Sequence, residues 1–530
     1  MKKLFFRLFR VFQRPLIQRL LLVAFIGIIY IPTLPYAFVS DDIHIGETMA
    51  GMTLSSVFDT STGFHLSTLV QYMLYHSVGL VPWIFRFVNI FAHAGSVLLV
   101  YAILRRLQKN HTHGHSSFLP FFAATIFAVH PLVIESVVWI SGGVYALYGC
   151  FFLLSLWFYM RDSTHERLSY GASIVCFIIS LLFSEKAIGL PLLFIVYEYS
   201  FGHIKKHWKQ LLPYGFISLC FLCFNLVKMP QRLLEVGAHS HIAGTGLFYN
   251  PFIQVPLAIV SYIQLFFWPR DLTLYHTEYN LTGFMIGLRL ILVILGVCSI
   301  IWMGKYKKQW FFWMCFFLVP LLPMLTPFRI AWVVAERYAY LSIIGLSVLV
   351  ISLFDILLHS KYLTKIYGIC FLFIVSCLLS RSIMRTHDWY NEDTLWIATS
   401  KTSPGYPNTW NNMGDVYSRH GDFSRALVSF QKAIQLDPMY AEAYHNAGET
   451  YVLLGDMDQA QAMYEKAVAY RPTLWQSWYA LTIIAVRQQK YEKGLEMLTN
   501  ALRINPNHVL LLQMRQTILH LLETSSKIPQ

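Results

Sequence analysis

Charged side chains are scarce in this sequence. Asp, Glu, Lys and Arg make up 13% of its 530 residues, roughly half the share of an ordinary soluble domain. With a mean hydropathy of +0.49, that excludes a chain soluble throughout and leaves a polytopic membrane protein. Cysteine is scarce as well. Cys150, Cys176, Cys220, Cys223, Cys298, Cys315, Cys370 and Cys377 all fall inside apolar segments, so no disulfide framework is implied. Cys220 and Cys223 have redox or metal spacing, but no second ligand pair accompanies them and they read as helix packing. Basic residues are missing altogether from 39–80. The formal net charge of +13 sits in short clusters between apolar runs, which fits positive-inside topology and not a nucleic-acid-binding face. No small-residue cleavage site follows the first apolar run, and its long basic lead marks an anchor and not a removed signal peptide.

What the chain has in excess is apolar length. Aromatic residues at 16% suit interfacial Trp and Tyr belts. Runs able to cross ~30 Å of hydrocarbon lie at about 17–38, 81–104, 118–134, 143–160, 168–183, 187–200, 210–227, 284–303, 309–325, 333–354 and 364–382. Basic clusters precede the first run (Lys2 to Arg19) and follow the second, fourth, sixth, eighth and tenth. All fall on one side if the N-terminus is cytoplasmic and 251–268, which contains Pro256, does not cross. That segment therefore reads as a re-entrant or surface helix. About eleven spans place the C-terminal part outside the cytoplasm.

Hydropathy drops near Arg385, dividing the chain into a membrane domain, 1–385, and a polar helical domain, 386–530. The polar part repeats every 34 residues: Trp410, Gly414, Tyr417, Gly421, Ala426, Phe430, Ala433 and Pro438 return as Tyr444, Gly448, Tyr451, Gly455, Ala460, Tyr464, Ala467 and Pro472. A weaker copy carries Trp478, Gly494, Leu498, Ala501 and Pro506. This is the tetratricopeptide (TPR) pattern, with repeats at about 407–440, 441–474 and 475–508 and a capping helix at 509–524. Stacked repeats form a concave surface suited to an extended peptide or a partner helix; the alternative is a rigid spacer. The fold class is all-α: a membrane helical bundle followed by an α-solenoid.

Within this topology several ionisable residues gather at the outer boundary, where they are costly and default to a functional hypothesis. They are Asp41 and Asp42, His130 and Glu135, Glu185 and Lys186, and Glu336 with Arg337; His276 and Glu278 follow in an outer loop. Each has a structural alternative. Asp41 and Asp42 can end a helix in water, and His130 can bond a carbonyl freed by the Pro131 kink. Glu185 and Lys186 can pair locally, and Arg337 can anchor the interface or pair with Glu336. The run His111-Thr-His113-Gly-His115 lacks acidic or thiolate partners and reads as a solvated loop. Asn280-Leu-Thr282 is a glycosylation triplet by pattern alone.

A carboxylate-bearing first outer loop resembles that of GT-C glycosyltransferases. The segments HPLVIESVVWISG (130–142), FSEKAIGLPLLFIVYEY (183–199) and AERYAYLSIIG (335–345), with three appended TPR repeats, resemble the transmembrane, TPR-containing O-mannosyltransferases and their bacterial relatives. The resemblance implies a GT-C-like bundle that transfers a mannose-like hexose from a polyprenyl- or dolichyl-phosphate donor. The acceptor would be a hydroxyl outside the cytoplasm, usually a protein Ser or Thr, with inversion at the anomeric carbon. By the family pattern Asp41 is the base and Asp42 its neighbour.

The residues suit that chemistry. A hydroxyl that attacks needs a carboxylate within ~3 Å to take its proton, and a departing lipid phosphate needs positive charge. Because 39–80 supplies no Lys or Arg, such a cation comes from later spans, which singles out Arg337 and then Lys186. His130, Glu135, Glu185 and His276 are candidates for sugar or acceptor binding. A divalent cation between Asp41, Glu135 and phosphate fits some GT-C enzymes, and nothing in the sequence requires it.

Two departures stand out. Relatives commonly carry an Arg and an Asp after Trp-Ile-Ser-Gly, where this chain reads Gly142-Gly-Val-Tyr145, and Lys before Glu where it has Glu185-Lys186. They keep two alternatives open: a non-catalytic membrane-anchored TPR scaffold and an oligosaccharide or O-antigen ligase. The Lys-rich N-terminus and compact loops point to a bacterial cytoplasmic membrane with periplasmic TPRs, the alternative being the endoplasmic reticulum with luminal TPRs.

Overall fold

The computed structural model describes residues 12–58, 65–111, 118–160, 166–201, 204–239, 251–276, 282–325, 334–357 and 363–525, which are mainly helical with no strand among them. His113 and His115, Glu278 and Asn280 lie outside the described residues. The chain forms two compact units, one reaching Leu395 and the other starting at Trp396. Hydropathy falls earlier, at Arg385, but the first unit continues because Trp389 and Leu395 remain fully buried.

Among the described residues of the first unit six helices are long and apolar enough to cross a membrane: Pro15–Thr33, Pro82–Lys109, Ser141–Tyr159, Ile204–Val227, Gly283–Tyr306 and Gly368–His387. The expected span at 118–134 is a broken pair, Leu119–Val129 and Pro131–Val138, bent by 55°. The other expected spans coincide with shorter helices, Arg167–Phe183, Leu190–Phe201, Lys308–Met324 and Ser342–Ile356. Residues Pro251–Phe267 form a helix with Pro256 inside it, and Leu257, Ala258 and Tyr262 are buried.

The surface of the unit identifies its solvent. Along Gly283–Tyr306, with mean hydropathy 2.6, none of the most apolar window is buried; Phe284, Ile291, Ile294 and Ile301 all face outward. Such a continuous apolar face is incompatible with water and requires lipid. Inside the bundle, hydrophobic burial is replaced by close approach and interhelical hydrogen bonds. A Cβ at Gly345 would sit 2.4 Å from the Trp313 carbonyl oxygen, so only glycine lets those helices meet. Ser155 and Ser173 each donate to the other's carbonyl at 2.8 Å.

The break after Val129 shapes the site. Pro131 has no N–H to donate, and His130 before it is held extended at φ −74°, ψ 131°. A short helix, Ile134–Val138, follows, and Trp139 is extended again. The chain is thus irregular at Trp139 and Ile140, between that helix and the 3-10 turn Ser141–Gly143 that leads into Val144–Tyr159.

The second unit is a solenoid of helix pairs: Pro407–Arg419 with Phe423–Leu436, Ala441–Leu454 with Met457–Tyr470, and Trp475–Arg487 with Tyr491–Ile504, ending in Val509–Ser525. One hydrogen bond recurs with the repeat. Trp410 Nε1 donates to the Pro404 carbonyl at 2.6 Å, Tyr444 Oη to Pro438 at 3.3 Å and Trp478 Nε1 to Pro472 at 2.9 Å. The small-against-large pairing is also explicit: a Cβ at Gly414 would lie 2.5 Å from the Phe430 ring, and one at Gly448 2.8 Å from Tyr464. Neighbouring repeats are joined through Asn446 Nδ2 donating to Asn411 Oδ1 at 3.0 Å and His445 Nδ1 meeting Ser477 Oγ at 2.8 Å. Overpacking of this kind costs about 1–3 kcal/mol. Gly414→Ala and Gly448→Ala should each destabilise the solenoid by that amount in urea titrations, with a smaller effect from Gly494→Ala, whose Cβ would meet only ordinary contacts from 3.4 Å.

Candidate functional site

The break at Trp139 and Ile140 leaves nearby carbonyls and amides without helical partners, and side chains supply them. Arg86, fully buried near the start of Pro82–His111, donates Nε to the Val138 carbonyl at 2.8 Å. Its other nitrogens reach Leu34 at 3.2 Å, Tyr36 at 2.8 Å and Ala37 at 3.0 Å. Asn89, one turn on, donates Nδ2 to the Trp139 and Ile140 carbonyls, each at 3.3 Å. Asp42 takes the amides: Oδ2 accepts from Ile140 N–H at 3.2 Å, and Oδ1 from Ser141 N–H at 2.7 Å and from the Ser141 hydroxyl. One guanidinium and one carboxylate therefore clamp the loop after the first span onto the broken helix.

That clamp separates the twin carboxylates. Asp42 is 1% exposed and used up by its anchors, whereas Asp41 is exposed and lines a cavity of about 410 Å³. Asn89, Ser141, Gln71, Glu185 and Lys186 line the same cavity. Ser40, just before Asp41, has φ +56°, a left-handed conformation costing about 1–2 kcal/mol outside glycine. Its N–H is held by the Glu392 carboxylate.

Of the candidates read from sequence, the structure brings Asp41, Glu185 and Lys186 to one cavity. Lys186 Nζ lies 3.8 Å from Glu185 and 4.9 Å above the Tyr145 ring. Arg337 is one ring away: Tyr338 has Lys186 Nζ at 5.8 Å and the Arg337 guanidinium at 5.2 Å. Arg337 pairs with Glu135, which also accepts its backbone N–H at 3.0 Å. The expected Glu336 partnership does not form; Glu336 receives Arg385 at 3.0 Å, and His276 lies 3.7 Å from the same oxygen. The two ion pairs are bridged by aromatics. Trp139 and Trp389 stack at 5.8 Å, with Arg337 over the first at 5.5 Å and Arg385 over the second at 5.8 Å.

His130 is turned elsewhere. Its Nδ1 accepts the Leu132 N–H at 3.2 Å, and Nε2 meets the Phe266 carbonyl at 3.0 Å, so both ring nitrogens serve the kink and its packing, away from the cavity around Asp41. The carbonyl of Val129 is taken by Ser382 at 2.7 Å. Asp41 lines the cavity while Glu135 is paired with Arg337 outside its lining, and no group of three or more His, Cys, Asp or Glu with metal-binding geometry occurs among the described residues.

Sequence reasoning missed Arg86, Asn89 and Glu392. The cation that touches the first loop is Arg86, not Arg337 or Lys186. The signal was there: a lone Arg within an otherwise apolar span, three residues before an Asn, marks one polar helix face.

Burial pushes the Asp42 carboxyl up to about 6, against the pull of the Ser141 hydroxyl and amide and of Arg86. A folded state that favours the proton gains from it fully below the ordinary value of 3.8 and loses that gain as pH rises through about 6. The difference is about 3 kcal/mol. Melting curves of wild type and Asp42→Asn between pH 4 and 7 should diverge accordingly, wild type losing stability relative to the variant as pH rises. Parallel curves would contradict the assignment.

Comparison with known proteins meets the chain mainly through its repeats. Tetratricopeptide repeat families match residues 414–455 and 441–474. The mouse protein O-mannosyl-transferase TMTC3 is 26% identical over 145 residues, covering 27% of this chain and 16% of that protein. The Drosophila melanogaster protein O-mannosyl-transferase Tmtc2 is 30% identical over 125 residues, covering 23% of this chain and 13% of that protein. The matched stretch thus spans about a sixth or less of these relatives. Among solved structures, the thermophilic TPR protein TTC0263 of Thermus thermophilus has 19% identity and a TM-score of 0.23, covering 29% of this chain and 94% of that one. The first TPR domain of human RPAP3 has 18% identity and a TM-score of 0.23, covering 24% of this chain and all of that one. The chain is a multi-pass helical membrane protein with a tetratricopeptide solenoid, similar over about a quarter of its length to proteins named O-mannosyl-transferases.

Proposed function

We propose that this chain is a membrane glycosyltransferase that moves a mannose-like hexose from a polyprenyl- or dolichyl-phosphate donor to a hydroxyl, on protein Ser or Thr, at the extracytoplasmic face. The observation that carries the reading is the cavity in which exposed Asp41 shares walls with Glu185 and Lys186, while Asp42 is withdrawn into the backbone clamp. Similarity to proteins named O-mannosyl-transferases supports the sugar and the acceptor class. The membrane is the bacterial cytoplasmic membrane, with the TPR solenoid receiving the acceptor or a protein partner in the periplasm.

In the reaction Asp41 accepts the proton of the acceptor hydroxyl as its oxygen attacks the anomeric carbon. The bond from that carbon to the phosphate oxygen breaks, and the lipid monophosphate leaves with the electron pair. Lys186 stabilises the charge it carries away. Attack opposite the leaving group inverts the anomeric centre. Tyr145 and Tyr338, under the Lys186 ammonium, keep that cation oriented without neutralising it. Glu185, on the cavity wall, is the candidate for binding sugar hydroxyls.

One observation favours a second reading, a non-catalytic scaffold: Arg337, the better-shaped phosphate ligand, is committed to Glu135. A single comparison separates the two. Asp41→Asn should lower transfer from polyprenyl-phosphate mannose to a Ser/Thr peptide by about 10²-fold or more, with donor binding retained in a thermal-shift assay. A wild-type protein that neither binds nor is stabilised by the lipid-linked sugar is a scaffold. Full activity in Asp41→Asn removes Asp41 as the base, and transfer of a preassembled glycan, seen by intact mass, identifies a ligase.

A further inference from the structure

Three contacts run between the first outer loop and the segment that leaves the last span. Tyr36 and Tyr390 pack edge to face at 5.1 Å, the Ala37 N–H donates to the Tyr390 carbonyl at 3.1 Å, and the Ser40 N–H donates to the Glu392 carboxylate. Glu392 is set for this task by its neighbours. Asn391 and Thr394 cap the helix Glu392–Thr402 reciprocally, Thr394 N–H to Asn391 Oδ1 at 2.9 Å and Asn391 N–H to Thr394 Oγ1 at 3.1 Å. The capping duty is thereby discharged by residues other than Glu392, whose side chain is left to reach Ser40. Behind it, Arg385 bonded to Asp388 and Trp389 stacked on Trp139 fix the approach of the segment.

Ser40 is one of two non-glycine residues with positive φ among the described residues. A residue in that conformation persists only where its surroundings enforce it, and the bond from Glu392 is the contact its amide makes. The next residue is Asp41, and the one after that is tied by its carboxylate to Ile140 and Ser141. The candidate base is therefore held between two anchors, one on either side in the chain.

We propose that Glu392 is a positioning residue for the candidate base: by accepting the Ser40 N–H it enforces the left-handed turn that presents Asp41 to the cavity. What the presented carboxylate does rests on the transferase reading above; how it is presented does not. Glu392 lies well over three hundred residues away in sequence, so no local pattern around Asp41 announces it.

The test uses the full-length protein in lipid nanodiscs. Glu392→Ala should speed amide exchange across residues 36–44 by on the order of tenfold and lower the transfer rate by a similar factor with donor KM unchanged, the signature of lost orientation and not of lost binding. Glu392→Gln keeps an accepting oxygen and should retain most of the protection and rate. Adding Ser40→Gly to Glu392→Ala should restore most of the rate, because glycine adopts the left-handed turn without help. A merely structural contact would show no such rescue. Unchanged exchange in Glu392→Ala, or a double variant as slow as Glu392→Ala alone, overturns the proposal. If wild type transfers no sugar while the two Glu392 variants show the stated exchange, the positioning role stands and the transferase reading falls.

Discussion

The architecture around the cavity depends on one constraint: the chain leaves helical geometry at Trp139 and Ile140, and the peptide groups exposed around that break have to be satisfied by protein. Irregular backbone in a membrane bundle is tolerated only where partners are built in. Arg86 and Asn89 supply the donors and Asp42 the acceptor. Because Arg86 spends its remaining nitrogens on Leu34, Tyr36 and Ala37, satisfying the break also docks the first loop. The position of Asp41 follows from that docking.

The same logic explains why adjacent carboxylates behave differently. Two exposed carboxylates in sequence repel, and the structure resolves this by withdrawing Asp42 into three hydrogen bonds while Asp41 stays at the cavity. The arginines divide in parallel. Arg337 and Arg385 each hold a buried glutamate, with Trp139 and Trp389 stacked between them. Buried ion pairs contribute little net stability once desolvation is counted. Their effect here is geometric: they tie the end of the last span to the broken helix, which leaves Lys186 on its aromatic platform as the cation that lines the cavity.

Much of this was legible in sequence, and the boundary of legibility is physical. Apolar length and basic clusters report a single property, transfer into lipid, so the helices of the bundle were visible one at a time. The solenoid was readable because each repeat packs on its immediate neighbours, and Gly414 against Phe430 sits 16 positions apart within one period. The clamp was not, because its parts are far apart in the chain: Asp42 with Ser141, Arg86 with Ala37, Ser40 with Glu392. His130 misled for a related reason. A histidine beside a proline at the outer boundary suggests a ligand, but its partner is a carbonyl on the helix Pro251–Phe267, invisible without tertiary structure.

The uncharged Gly142-Gly143 acquires a reason from the same clamp. Just past the Trp-Ile-Ser-Gly run, after which the resemblance implies an Arg and an Asp, a Cβ at Gly143 would stand 1.9 Å from Asn89 Oδ1; within the run, one at Gly142 would stand 2.6 Å from the Glu135 carbonyl oxygen. Asn89 has to approach that closely to reach the Trp139 and Ile140 carbonyls. Charged side chains at this turn and an asparagine serving the break are thus mutually exclusive in this packing. The turn is left without charge, while Asp41, Glu185 and Lys186 line the same cavity. The absence of charge at Gly143 is thus a packing requirement of the clamp and does not by itself argue for a site without chemistry.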